Sequence, residues 1–272
     1  MNSLVQILSV EWLKLKGYRP FWVVFILYPV CLCGVVTISV WTQMKIQEAA
    51  GESGLGSAVG EYLPFAFPHV WQSVAYLGSW LHFLPAVLVI LSVTNEFTFR
   101  THRQNLLDGW GRGQFLTAKC LMASGVCFYG TAIVAVLALF SGLVTRSTPS
   151  IEGGSYILLF LLQSHVYMLF ALLLAFVIRR AALSLAGFFI YAMILENFAA
   201  FILNYKLNGL GAYLPLEAAG GLLPFPFIEE HAPEAAREMM FSLGQSTLVV
   251  ASVLYLVLFL GGLWLRFRRE DL

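Results

Sequence analysis

Charged residues are scarce in this sequence. Asp, Glu, Lys and Arg make up 11% of its 272 residues, whereas soluble domains contain about 25%. Hydrophobic residues make up 59%, and the mean hydropathy is +0.79. This composition excludes an ordinary soluble domain.

Two enzyme motifs are also missing. A P-loop needs Gly-Lys-Ser/Thr to hold the β- and γ-phosphates of a nucleotide, and the dipeptide Gly-Lys occurs nowhere in the chain. The zinc-protease pattern His-Glu-x-x-His is absent as well. We therefore predict that the chain has no ATPase site, no catalytic residue and no metal site of this kind.

Cysteine is rare too. Cys31, Cys33, Cys120 and Cys127 all lie inside apolar runs, whereas a disulfide framework would place cysteines in exterior loops. Buried cysteine behaves as a small hydrophobic residue. Cys31 and Cys33 would also diverge by about 200° on a helix, so we predict no metal site from this pair.

Long apolar runs dominate the chain. About 20 apolar residues cross the hydrocarbon core of a bilayer, and lipid cannot satisfy free backbone groups, so such runs form helices. The sequence therefore predicts an all-α, polytopic membrane protein with six transmembrane helices. The predicted spans are residues 20–42, 73–95, 118–145, 155–178, 181–204 and 242–265.

The basic residues are distributed unevenly between the two faces of this arrangement. With the N-terminus inside, twelve of the sixteen Lys and Arg residues fall on the cytoplasmic side, as the positive-inside rule expects. We predict a multi-pass protein of the cytoplasmic (inner) membrane with both termini in the cytoplasm. The twelve are Lys14, Lys16, Arg19, Arg100, Arg103, Arg112, Lys119, Arg179, Arg180, Arg266, Arg268 and Arg269.

Two segments outside the spans have helical patterns. Residues 1–19 place Leu4, Trp12 and other apolar residues on one face, with Glu11, Lys14 and Lys16 nearby. This pattern predicts an amphipathic interfacial helix, or alternatively a simple flank of the first span. Residues 205–241 are apolar but interrupted by Pro and Gly, which predicts a re-entrant helical segment before the last span; a surface loop is the alternative.

The cytoplasmic loop 97–118 combines charge, helix-forming residues and a Gly-rich break. A short helix with an apolar centre and a charged rim suits a groove on a partner protein. A basic loop that only satisfies the positive-inside rule stays an open alternative. The candidate docking residues are Glu96, Arg100, Thr101, His102, Arg103, Gln104, Asn105, Leu106, Leu107, Asp108 and Arg112.

These features together resemble the membrane subunits of type-2 ABC exporters. The resemblance rests on an amphipathic lead with Glu11-Trp12-Leu13-Lys14-Leu15-Lys16, and on a second motif that closes span two. That motif is a Glu, a Thr, paired Leu, an Arg, and a Lys that enters span three. Here its residues are Glu96, Thr101, Leu106, Leu107, Arg112 and Lys119.

The resemblance implies a function and partners. The chain would be the permease subunit of an ATP-binding cassette exporter for a hydrophobic or amphipathic substrate such as a lipid, peptide or drug-like molecule. Loop 97–118 would be the coupling helix. A separate nucleotide-binding subunit would hold ATP and Mg, a second and identical permease subunit would complete a dimer, and membrane lipid would surround it. No nucleic-acid partner is predicted.

Glu196, followed by Asn197, is the one carboxylate well inside a predicted span. An acid at the centre of a span costs about 2.5–3.5 kcal/mol on insertion scales, so its default interpretation is functional. We predict either a substrate path or gate at this position, or structural hydrogen bonds to neighbouring spans. In span two, Pro85 predicts a kink near His82.

Three other functions compete with the exporter. An ABC-type complex for mechanical transmission, without a transported substrate, fits the same residues. An ion-coupled secondary transporter would need several ionisable residues or broken spans, and one buried Glu with uninterrupted central spans argues against it. An intramembrane protease is disfavoured because histidines at suitable spacing are missing.

Overall fold

A computed structural model of the protein describes residues 4–52, 63–99, 101, 111–207, 209–224 and 243–268. Every regular element in these ranges is helical. Five helices are long and apolar enough to cross a membrane, and a sixth crossing is added if a bent pair of shorter helices counts as one span. The prediction of an all-helical fold is confirmed for the described residues, and the five or six candidate spans indicate a membrane-embedded protein. The count of six spans holds only with that bent pair.

The helices follow one another with short connections in most places. The N-terminal helix is α1 (Leu4–Lys16), and α2 (Arg19–Glu52) is the first long helix. The bent pair is α3 (Val70–Ser79) and α4 (Phe83–Thr98). The remaining helices are α5 (Arg112–Val144), α6 (Ser155–Ile178), α7 (Ala181–Ile190), α8 (Glu196–Lys206), α9 (Pro215–Gly220) and α10 (Gln245–Arg268).

Helix α6 lies at the centre of the bundle, and its bounds agree with those of predicted span 155–178. It packs against α3, α4, α5, α9 and α10. The side chains of Phe160, Met168, Leu172 and Phe176 are almost completely buried. In a chain that crosses a membrane, the exposed apolar side chains of the outer helices face lipid, so burial marks contacts between helices.

The predicted second span is broken in the middle. Helices α3 and α4 meet at an angle of 45° across the short break after Ser79. His82 lies in this break, where its ring nitrogens contact Ser79 O at 2.7 Å and Ser164 Oγ at 2.8 Å. The kink predicted near His82 is confirmed, but the expectation of uninterrupted central spans is wrong here, because the helix ends and restarts.

A second irregularity interrupts the helical span Ala181–Lys206. Residues Tyr191–Leu195 form a π-helix between α7 and α8. The extra residue in such a turn leaves carbonyl groups without their usual partners, and the Asn197 side-chain amide donates to Ala192 O and Met193 O at 3.0 and 3.2 Å. The span Ala181–Lys206 nevertheless stays one continuous helical crossing, as expected.

Short helices follow α8. A 3-10 helix (Leu210–Tyr213) leads into α9, and Leu216, Ala218, Ala219 and Leu222 are buried. Pro215 begins α9, where its missing N–H costs nothing. The first part of predicted segment 205–241 is therefore helical and packed against the bundle. Its re-entrant position stays a prediction, and residues 225–242 lie outside the described part.

Two glycines in this segment provide a matched test of its packing. A Cβ at Gly211 would collide with the backbone oxygen of Ala200 in α8, whereas a Cβ at Gly220 meets nothing within 4 Å. We expect Gly211→Ala to destabilise the protein by about 1–3 kcal/mol, because the backbone of α8 cannot move aside without strain. Gly220→Ala should be neutral or slightly stabilising. Thermal unfolding in detergent measures both, and equal midpoints would contradict this packing.

Candidate functional sites

Four charged side chains meet where α1, α4 and α5 come together. The Lys119 ammonium donates to Glu96 Oε1 at 2.6 Å and to Glu11 Oε2 at 2.7 Å. Lys14 donates to Glu96 Oε1 at 3.1 Å and to Glu11 Oε1 at 3.2 Å. Each ammonium therefore contacts both carboxylates, and the charge cluster of Glu11, Lys14, Glu96 and Lys119 has no net charge.

The charge cluster is shielded from solvent. Lys119 is 1% exposed, and the Glu11 and Glu96 side chains are buried, whereas that of Lys14 is 30% exposed. Burial of the Glu11 carboxyl by itself would raise its pKa, but the ammonium groups of Lys119 and Lys14 outweigh this effect and hold the pKa below its ordinary value of 4.5. Glu11 is therefore an ionised, fully paired carboxylate at neutral pH.

This arrangement corrects one expectation. Glu11 was expected to point away from the apolar face of an interfacial helix, yet its side chain points into the protein, while Trp12 and Lys16 are the exposed members of that group.

Lys119 was expected to enter the third span, and it lies inside α5, which begins six residues before the predicted span. Its ammonium is buried and paired with two carboxylates. It therefore holds helices together, in addition to its part in the charge bias between the two faces.

The charge cluster stands at both ends of the candidate coupling loop. Glu96 immediately precedes loop 97–118 and Lys119 immediately follows it, while Phe97 and Phe115 lie near its two ends. The rings of Phe97 and Phe115 pack edge-on against Phe176 of α6, with centroids 5.9 and 6.2 Å away. Both ends of the loop are therefore held against the centre of the bundle.

Most of the predicted docking residues are not placed by the structure. Thr101 is helical and exposed, and Arg112 is the first residue of α5. The other members of the docking set, apart from Glu96, lie outside the described residues: Arg100, His102, Arg103, Gln104, Asn105, Leu106, Leu107 and Asp108. Their role in docking stays a prediction.

A second polar site surrounds Glu196. This residue is 2% exposed, and its Oε1 accepts hydrogen bonds from the backbone N–H groups of Leu216 at 2.6 Å and Glu217 at 3.0 Å. The carboxylate thus satisfies two of the free N–H groups at the start of α9. Glu196 therefore makes structural hydrogen bonds, but to a short helix and not to a neighbouring span, and the predicted path or gate stays a prediction.

Glu196 also lines a cavity of about 440 Å³, the Glu196 cavity. Its walls come from the α3–α4 break, α6, the π-helix and its flanks, and α9. Asn197 lines it too, so the structure brings together both residues of the predicted path or gate. The aromatic wall residues are Tyr76, Trp80, Phe83, Tyr167, Phe188 and Phe189.

Sequence reasoning missed several members of these sites. Gln163, Tyr167 and Glu217 line the Glu196 cavity, but none was selected from the sequence. Gln163 is a polar residue within an otherwise apolar run, which is the available signal for a buried functional amide. For Lys119 the comparable signal was a cation at the start of an apolar run. Neither signal identifies the partner side chain.

Comparison with known proteins does not assign the chain. No family model matches it, and no curated protein matches it.

The charge cluster predicts strong coupling between Glu96 and Lys119. Replacement of Lys119 by Met leaves a buried carboxylate pair with one cation, which should cost about 3–5 kcal/mol of stability. Adding Glu96→Gln to Lys119→Met removes the excess negative charge. The double variant should therefore lose less stability than the two single variants lose in sum. A double-mutant cycle should give a coupling energy of about 1–3 kcal/mol.

The exposed pair Lys45–Glu48, with an N–O distance of 2.6 Å, is the matched control. The double-mutant cycle of this pair should give a coupling energy of at most about 1 kcal/mol, because water screens both charges. Both cycles are measured by unfolding in mixed micelles. If the losses of stability in the single variants at Glu96 and Lys119 simply add in the double variant, the charge cluster is contradicted.

Glu11 predicts a specific dependence of stability on pH. Since its pKa is lower in the folded protein than the ordinary 4.5, its contribution is present above pH 4.5 and is lost as the pH falls through the lower folded value. The difference in unfolding free energy between wild type and Glu11→Gln should therefore shrink on acidification below pH 4.5. Titration of unfolding midpoints between neutral pH and pH 3 checks this. A difference that does not change with pH would contradict it.

Proposed function

We propose that this chain is the membrane permease subunit of a type-2 ABC exporter. It would move a hydrophobic or amphipathic substrate out of the cell, in a complex with a separate nucleotide-binding subunit and a second permease subunit. The proposal keeps the expectation drawn from the N-terminal motif and from the motif that closes the second span.

The charge cluster is the observation that carries this proposal. Three residues of the two resembling motifs, Glu11, Glu96 and Lys119, are far apart in the sequence, yet they form one buried set of ion pairs. Residues that are needed only for orientation in the membrane would not have to be buried or paired. Their convergence at both ends of loop 97–118 supports a role for this loop in passing movement to the spans.

The geometry also supports a route for that movement. A subunit that binds loop 97–118 and displaces it would pull on α4 through Glu96 and on α5 through Lys119. Lys14 and Glu11 would carry the same displacement to α1. Since removal of one buried partner costs about 3–5 kcal/mol, the three helices are expected to move together rather than separate.

An ion-coupled secondary transporter is the second candidate, and the broken span α3–α4 favours it. Transporters of this class bind their substrate where helices are discontinuous, and the α3–α4 break borders the Glu196 cavity. Glu196 would then carry the coupling proton. This candidate needs no ATPase partner.

A pull-down from the native membrane in mild detergent separates the two candidates. The exporter predicts a co-purifying soluble subunit with a P-loop, identified by mass spectrometry. Its reproducible absence, while the permease stays intact, would overturn the exporter and favour the ion-coupled transporter. Uptake of substrate into liposomes, driven by an imposed proton gradient in the absence of ATP, would support the ion-coupled transporter.

Charge reversal in the loop tests the docking residues themselves. Arg103→Glu and Asp108→Arg should each reduce stimulation of the partner's ATPase by about tenfold while thermal stability remains that of wild type, because the changed charges lie at the partner's surface. Arg180→Glu, in the short turn between α6 and α7, is the matched control and should leave the stimulation unchanged. Wild-type stimulation in both loop variants would contradict docking at this loop.

A further inference from the structure

We propose that the Glu196 cavity binds an ammonium group carried by an apolar ligand. The cavity holds about 440 Å³, which lies within the size range of small-molecule sites. It is partly open, and it combines a buried carboxylate with a largely aromatic wall. Each of these features restricts the chemistry of the occupant.

Unused hydrogen-bond acceptors are the first feature. Glu196 Oε1 caps α9, but Oε2 is buried and makes no hydrogen bond to any described residue. The Tyr191 hydroxyl lies within interaction distance of the Glu196 carboxyl group, but its position does not meet the geometry of a hydrogen bond to Oε2. Gln163, 2% exposed in the facing wall, has its Oε1 equally unpartnered within the described ranges. A buried acceptor without a donor destabilises the protein, so a ligand that donates a hydrogen bond here is favoured.

The charge balance of the walls favours a cation. Glu196 and Glu217 both line the cavity, and no Lys or Arg is among its described lining residues. Lys206, the nearest cation along the chain after Glu196, is exposed and forms no ion pair with it. His82 also lines the cavity, but neither of its ring nitrogens is available to a ligand, because they already contact Ser79 and Ser164. The cavity therefore repels anions.

The aromatic wall distinguishes an organic ammonium from a metal ion. Six aromatic side chains line the cavity, and aromatic faces attract ammonium groups, more strongly when water is excluded. A hard metal cation such as Ca²⁺ would need six to eight oxygen ligands. No cluster of three or more His, Cys, Asp or Glu side chains suited to a metal occurs in the described part of the chain. The rings also accommodate the apolar body of the ligand.

Two sources can supply such a ligand: the amine headgroup of a membrane lipid, or a free cationic amphiphile. Both present the same ammonium to Glu196 Oε2 and the same apolar chain to the rings. The binding site is inferred from the structure and does not depend on the proposed function. The further idea that the bound amine is the exported substrate does rest on the proposed function.

Binding of octylammonium to the purified full chain tests the site. The protein is kept in a nonionic maltoside detergent, which supplies no competing charge, and octanol and octanoate serve as neutral and anionic analogues. By calorimetric titration, wild type should bind octylammonium about tenfold more tightly than octanol, with octanoate weakest. Competition by phosphatidylethanolamine would identify a lipid source, and its failure to compete would identify a free amphiphile.

Glu196→Gln should abolish the preference for octylammonium and leave octanol binding unchanged, because the amide still accepts from the α9 N–H groups but lacks the charge. Glu48→Gln, which changes an exposed carboxylate outside the cavity, is the matched control and should bind as wild type. Equal wild-type affinities for the three analogues, or a preference that survives in Glu196→Gln, would overturn the proposal.

A second variant applies if Glu196→Gln does not fold. Trp80 lines the cavity and is 65% exposed, so Trp80→Leu is expected to fold and to weaken octylammonium binding severalfold. Unchanged binding in that variant would equally overturn the site. Since these measurements use the chain alone, loss of the ATPase partner in a pull-down would refute the exporter and leave the site intact.

Discussion

The buried ion pairs of the charge cluster are the interaction on which the N-terminal half of the structure depends. Removal of four charges from water is expensive, and the cost is recovered only when every charge has a close partner. Here each ammonium contacts both carboxylates at 2.6–3.2 Å. The cost of separation is therefore high, and α1, α4 and α5 are held in one relative position.

Helix α1 is held by these charges together with apolar contacts. Leu15 packs against the cluster of Phe21, Leu88 and Met122, and the Trp12 ring contacts that of Phe21 edge-on. A partly open, largely apolar cavity of about 340 Å³ lies between α1 and helices α2, α4 and α5. The short helix is thus packed along part of its length, and the ion pairs fix it at the point where the three helices meet.

The sequence predicted the parts of the structure that depend on local patterns. Helix α6 has the predicted bounds, and the bend near His82 follows from Pro85. The partners of Glu11 and Glu196 could not be predicted, because Lys119 and the N–H groups of α9 are 108 and 20 or 21 residues away. The π-helix could not be predicted either, since one extra residue in a long apolar run leaves its composition and length almost unchanged. The Glu196 cavity arises from contacts among distant helices, which hydropathy does not record.

Helix α4 joins the two polar sites physically. Phe83, its first residue, lines the Glu196 cavity, and Glu96, near its last turn, belongs to the charge cluster. At 1.5 Å per residue these positions are about 20 Å apart along one uninterrupted helix. The backbone already changes direction by 45° at the break before Phe83, so a tilt of α4 would be centred there. A displacement applied at Glu96 would therefore tilt α4 about that break and reorient Phe83 in the cavity wall, and a ligand that fills the cavity would oppose it. Thermodynamic linkage makes such an effect reciprocal. Ligand binding in the cavity would change the free energy of loop displacement, and loop displacement would change the free energy of ligand binding by the same amount.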